Sequence, residues 1–180
     1  MAFRLKQTNN NGGPLNTAFV LLGNSQTFAV GDVVKSYTNG VADNGAAALP
    51  ILGIIQSIVG ANGQPVVQGD PTAGSTNTSD VSSVTTGAAN TTYYAYVNTS
   101  KSDIYSAEVN GTIGTTVNSD KRGAQIDVDS ANTDYGRVLE TTATRTVGTP
   151  ANFYSHGTDP EDSTRLLVSI ALSELDSVYE

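Results

Sequence analysis

Phe28-Ala29-Val30-Gly31-Asp32-Val33-Val34-Lys35-Ser36-Tyr37 and Ile51-Leu52-Gly53-Ile54-Ile55-Gln56-Ser57-Ile58-Val59 are the two apolar runs on which the reading of this 180-residue chain turns. Both are short, rich in β-branched residues and bounded by Gly, Asn or Pro, which marks strands buried in a barrel or sandwich; a helix needs a longer stripe of period 3.6. The second run closes on Gly60-Ala61-Asn62-Gly63, where Asn62 and Gly63 suit the positive φ angles of a type I′ hairpin turn. Gln64-Pro65-Val66-Val67-Gln68 can then return antiparallel. Pro65 donates no backbone hydrogen bond and belongs at an edge or at the first residue of that strand. The expectation is an all-β chain: a β-barrel or β-tulip-like domain over residues 15–180 with extended loops, preceded by an N-terminal arm, residues 1–14.

Bulk composition agrees. A chain of this length suits one domain, which buries roughly 70% of its unfolded surface. Hydrophobic residues make up 38%, below the usual ~45–50%, while Thr, Ser and Asn together number 55, almost a third of the chain. Such a bias favours strands and turns whose hydroxyl and amide groups face water. The net charge of −8 argues against a nucleic-acid partner, because a binding groove needs a basic field to displace counterions. With no cysteine there is no disulfide framework, thiolate nucleophile or zinc knuckle. Residues 1–8 lack the apolar core of a secretory signal, and no window approaches the ~18 apolar residues of a membrane helix. The expectation is a chain soluble as made, with no membrane partner.

Along the chain, Phe3, Leu5 and Gln7 alternate with Ala2, Arg4 and Lys6, the pattern of a short strand that Asn9-Asn10-Asn11-Gly12-Gly13-Pro14 ends. Two readings stay open. Phe3, Arg4, Leu5 and Lys6 can form a tether that adds a strand to a partner's sheet edge, or an ordinary first strand of their own domain. Residues 15–22 predict a strand paired, through Gly23-Asn24-Ser25-Gln26, with the Phe28 run. Residues 38–49 show neither period and read as a loop. Residues 68–92 are of low complexity, either a mobile surface loop or an excursion that orders against a neighbouring subunit. Thr92-Tyr93-Tyr94-Ala95-Tyr96-Val97 holds the aromatic cluster, and alternation sets Tyr94 and Tyr96 opposite Tyr93, Ala95 and Val97. Tyr93, Tyr94 and Tyr96 can anchor an interface, stack on sugars or pack on a strand face. Residues 103–109 follow after Asn98-Thr99-Ser100-Lys101 and predict a two-strand meander. Residues 123–129 and 135–141 predict two further strands joined by residues 130–134. In the tail, residues 165–175, period-2 alternation is cleaner than a helical stripe and predicts a strand.

Chemistry is sparse. The single histidine, His156, follows Ser155 and precedes Asp159, Glu161 and Asp162, but catalytic triads assemble from distant segments and no nucleophile elbow is present. It reads as a loop histidine. Asp127, Asp129, Asn132 and Asp134 offer four oxygen side chains within eight residues, a weak candidate for calcium. The EF-hand frame fails, since Ala131 stands at its fifth position and Val138 at its twelfth, and a solvated acidic turn is the plainer reading. No glycine-rich phosphate loop occurs. The chain is therefore expected to be no enzyme and to hold no cofactor.

The strand Phe28-Ala-Val-Gly-Asp-Val-Val-Lys35, the strand Leu52-Gly-Ile-Ile-Gln-Ser-Ile-Val59 and the pair Tyr94-Ala-Tyr-Val-Asn98 and Asp103-Ile-Tyr-Ser-Ala-Glu-Val109, with the Thr/Asn/Gly bias and the small size, resemble the β-rich decoration proteins of tailed bacteriophages, also called head-stabilising or cement proteins. That resemblance implies a structural virion protein on the outer capsid surface. Its partners would be the major capsid protein and its own copies, as a homotrimer, with extended arms bridging capsid subunits. A fibre or adhesin-like carbohydrate-binding module with a sugar-facing Tyr patch is the alternative.

Overall fold

The computed structural model describes residues 3–7, 17–37, 41–45, 49–66, 83–110, 125–129, 134–139 and 152–171, and among them it has fourteen strands and no helix. The protein is all-β. In chain order the strands are β1 (Arg4–Gln7), β2 (Thr17–Leu22), β3 (Thr27–Ala29), β4 (Val33–Tyr37), β5 (Val41–Asn44), β6 (Gly53–Val59), β7 (Ser83–Thr85), β8 (Tyr94–Asn98), β9 (Ile104–Asn110), β10 (Gln125–Ile126), β11 (Val128–Asp129), β12 (Asp134–Leu139), β13 (Phe153–Asp159) and β14 (Asp162–Ile170).

They form two principal assemblies. In the first, β2, β5, β4, β6 and β8 pair in that order and β8 pairs back onto β2, so the cycle of hydrogen-bonded strands closes. Every junction in it is antiparallel except β2 with β5, where Leu21 lies beside Val41 in parallel register. The second is a seven-stranded sheet in the order β10-β13-β14-β9-β12-β11, with β1 added to β9. There β12 runs parallel to β9, Val138 beside Val109. β3 and β7 pair as a separate two-stranded ribbon, whose Phe28 and Val84 pack into the core of the closed cycle.

Each assembly has its own core, and the two apolar runs supply both. Val34, Leu52 and Ile55 join Leu22, Phe28, Ile58, Ala95 and Val97 in one cluster. Their immediate neighbours Val33, Ile51 and Ile54 join Tyr105, Phe153, Leu166 and Val168 in the other. Successive side chains of a strand point to opposite faces, so a strand between two cores must be apolar on both and reads as an unbroken run. That is the physical origin of the doublets Val33-Val34, Ile51-Leu52 and Ile54-Ile55.

Several sequence expectations need correction. The Phe28 run is two strands, because Gly31 takes φ +90°, a region open chiefly to glycine, and turns the chain between β3 and β4. Residues 17–22 of the 15–22 segment are β2 and pair with β5 and β8, while the Phe28 portion pairs with β7; residues 15–16 lie outside the described residues. Residues 41–44, read as loop, are β5 and help to close the cycle. Residues 83–85 of the low-complexity segment are β7; residues 67–82 lie outside the described residues. At the hairpin only Gly63 has positive φ, +74°, so Asn62 acts through its side chain, its Oδ1 accepting the Gln64 N–H at 3.0 Å. Pro65 does open the return, bridged to Val59.

Nor do β8 and β9 form a meander: β8 stays in the closed cycle and β9 enters the large sheet. At the link between them, Asn98, Thr99, Ser100 and Asp103 are buried polar residues. Asn98 Nδ2 donates to Asp103 Oδ2 at 2.8 Å while Asn98 Oδ1 accepts the Ser100 N–H at 2.9 Å, which satisfies groups that burial would otherwise penalise. The strand expected over residues 123–129 is two: β10 pairs with β13 at one edge of the large sheet, while β11 pairs with β12 at the other, Val128 beside Val138; residues 123–124, 130–133 and 140–141 lie outside the described residues. The tail is strand through Ile170, and residues 172–180 lie outside the description.

Candidate functional site

Strand alternation builds an aromatic ladder on the outside of the closed cycle. In register, Phe19 of β2 lies beside Tyr96 of β8, which lies beside Ser57 of β6; one step along, Leu21, Tyr94 and Val59 share a row. The intervening residues Ala95 and Val97 point inward and are fully buried. Phe19 is 54% exposed and Tyr96 44% exposed, with Tyr94 half-buried. Phe19 stacks on Tyr94 at 5.2 Å between centroids, with 9° between the planes, and meets Tyr96 at 4.8 Å, tilted by 45°.

Cross-strand aromatic pairs stabilise a sheet by about 0.5–1.5 kcal/mol beyond area burial. The arrangement therefore holds three rings in place before any partner arrives. Aromatic anchors of this kind, fixed in advance and then desolvated, carry most of the energy of protein interfaces. Sequence reading singled out Tyr94 and Tyr96 and their shared face, but missed Phe19, whose partners come from a strand remote in sequence.

Tyr93 faces the other way and packs against the inner cluster. Its backbone is clamped by Asn90, whose Oδ1 accepts the N–H groups of Thr92 and Tyr93, each at 3.1 Å, and whose Nδ2 donates to the carbonyls of Leu22 at 2.8 Å and Tyr93 at 3.0 Å. Beside Tyr93 a hollow of about 300 Å³ opens against the 60–66 turn.

Phe3, Arg4, Leu5 and Lys6 lie in the large sheet of their own chain. Arg4 registers with Ser106 and Leu5 with Tyr105, so the contacts here are those of an ordinary first strand. Phe3 is buried, its ring 5.0 Å from that of Phe153, and its N–H donates to the Gly31 carbonyl at 3.2 Å. Lys6 Nζ reaches Glu161 Oε2 at 2.5 Å and Asp159 Oδ2 at 3.3 Å.

Behind Lys6 runs a buried polar chain. Ser106 Oγ donates to Asp159 Oδ2 at 2.5 Å and accepts from Arg165 Nε at 2.9 Å, while Arg165 Nη2 donates to the Ser106 carbonyl at 2.7 Å. Burial pushes the Asp159 carboxyl up, but the Ser106 hydroxyl, the Glu161 N–H and Lys6 together outweigh it and hold Asp159 below its ordinary value. The bond to Glu161 raises Lys6 in turn.

His156 lies on β13, not in a loop, and its Nε2 is 2.8 Å from Ser169 Oγ. Its sequence neighbour Ser155 points to the opposite, buried face. A Ser–His pair at this distance is one part of a nucleophilic site; the other part, a group that orients the imidazole, is not found among the described residues. Asp127 and Asp129 are buried, so the solvated acidic turn is corrected at these two positions. Asp129 Oδ2 accepts from Asn110 Nδ2 at 2.6 Å, and Asp127 Oδ1 accepts the Asn152 N–H at 3.3 Å. Asn132 and the side chain of Asp134 lie outside the described residues, and among those described no group of three or more His, Cys, Asp or Glu could hold a metal ion.

No protein-family model, curated protein or solved structure matches the chain.

Proposed function

We propose that the protein is a structural component of a tailed-phage virion, a decoration protein that binds the outer surface of the capsid and stabilises it by bridging copies of the major capsid protein. The observation that carries this reading is the exposed Phe19–Tyr94–Tyr96 ladder on a body held rigid by two cores. In this reading the closed strand cycle serves as the β-barrel or β-tulip module of such proteins, and the working unit is a homotrimer.

Physical chemistry supports the assignment. A contact of two or three aromatic rings is modest alone, but copies engaging a repeated lattice add their binding energies, because each further contact is effectively intramolecular. The charge of −8 favours the outside of a shell packed with polyanionic DNA over its inside. Hydroxyl and amide side chains keep the remaining surface hydrated.

The test uses heads prepared without this chain from the phage that encodes it. Adding the purified protein should place discrete density on the head exterior in electron cryomicroscopy and raise the temperature at which heads release DNA. Bare heads at saturating protein would refute the proposal.

A further inference from the structure

We infer that the hollow beside Tyr93 is a binding site for an uncharged sugar ring, a function beyond capsid attachment. Its wall comes from the 60–66 turn and from Thr92 and Tyr93. At about 300 Å³ it lies at the small end of ligand pockets, which run from about 300 to 1,000 Å³, and suits a ring or short oligosaccharide.

The chemistry of the lining selects the ligand class. Pro65 and the half-buried Tyr93 offer apolar surface for the C–H face of a pyranose, while Asn62, Gln64 and Thr92 offer amide and hydroxyl groups that both donate and accept, as sugar hydroxyls do. No lining residue carries a charge, in a chain with 26 acidic and basic residues. An ion would enter without a counter-charge, at a desolvation cost that a neutral polyol avoids.

The wall is also fixed in advance, which limits the entropy lost on binding. Gly60 N donates to the Gln64 carbonyl at 3.0 Å, Gly63 N to the Gly60 carbonyl at 2.9 Å and Val66 N to the Ile58 carbonyl at 2.8 Å. Asn62 Oδ1 accepts the Gln64 N–H at 3.0 Å, which holds the Asn62 side chain on the turn. Opposite, the Asn90 clamp holds Thr92 and Tyr93.

Saturation-transfer difference NMR on the intact chain tests this, with methyl glycosides of glucose, galactose, mannose and N-acetylglucosamine at about 10 mM, a concentration that detects millimolar affinity, and methyl glucuronide as the charged comparison. Transfer to the ring protons of at least one neutral glycoside is expected, with glucuronide weaker. Tyr93→Ala should weaken binding at least about ten-fold, and Gln64→Ala, on an exposed turn where folding is not at stake, about five-fold. No transfer to any neutral glycoside would overturn the inference. So would glucuronide binding as well as the neutral sugars, or binding lost in Phe19→Ala but kept in both Tyr93→Ala and Gln64→Ala, which would put the sugar on the ladder.

Discussion

Phe19 and Tyr94 sit on neighbouring strands with their rings 9° from parallel and 5.2 Å apart, in a place where neither is covered by the chain's own core. Because Phe19 is more than half exposed, Phe19→Ala should cost the fold no more than about 1 kcal/mol, the value of a cross-strand pair. Its effect on binding to capsids should be larger, about 2 kcal/mol or roughly thirty-fold per site, since burying such a ring recovers that much. Urea unfolding and a head-binding isotherm measure the two separately.

The N-terminal strand should matter to stability. Phe3 fills a place against Phe153 in the core of the large sheet, and Phe3→Ala should destabilise by about 3 kcal/mol through lost transfer energy and the cavity left behind. Lys6→Ala, whose ammonium is partly exposed, should cost much less. If Phe3→Ala left the unfolding midpoint unchanged, the cis placement of this strand would be wrong.

Acid should loosen the same region. Asp159 is held below its ordinary value of 3.8 in the folded protein, so the unfolded chain binds its proton first. The stability it contributes is present above that pH and is lost as pH falls below it. Lys6, raised above 10.5, contributes below that value and loses its contribution as pH rises past it. Glu161, Glu108 and Arg165 share this neighbourhood. Asp159→Asn should flatten the acid limb of a plot of unfolding midpoint against pH; an unchanged limb would show that other carboxylates set it.

Tyr105 is fully buried, and among the described residues its hydroxyl has no hydrogen-bond partner. Burial, with the nearby Asp103 charge second, pushes its ionisation well above the ordinary 10.0. Absorbance titration should therefore show one of the eight tyrosines failing to ionise until the fold gives way. The unfolded chain ionises first, so this residue's contribution holds below pH 10 and is lost as pH rises beyond it. Tyr105→Phe should remove that alkaline loss and raise stability at neutral pH by about 1 kcal/mol, because an unsatisfied polar atom leaves the core.

What the sequence revealed divides along the reach of its signals. The β6 run, the Gly60–Gly63 turn, the strand nature of β8, β9 and β14, and the shared face of Tyr94 and Tyr96 all follow from period and turn chemistry within a few residues. Pairings did not. The parallel contacts of β2 with β5 and of β12 with β9 leave no local trace, and β5 is only four residues long. The doublets Val33-Val34 and Ile54-Ile55 were visible as continuous runs, yet a strand buried on both faces looks the same whether it lies inside one core or between two. Phe19 was hidden for the same reason: its partners are set by the β2–β8 register. Asp127 and Asp129 looked solvated because burial of a carboxylate depends on donors such as Asn110 that sequence spacing does not reveal.

The most direct test is cosedimentation of the wild-type chain and the Phe19→Ala/Tyr96→Ala double variant with phage heads that lack this protein. Wild type should bind to saturation at a stoichiometry set by the lattice, and the variant, still folded by circular dichroism, should stay in the supernatant. Equal binding by both chains, or none by wild type, would contradict the account.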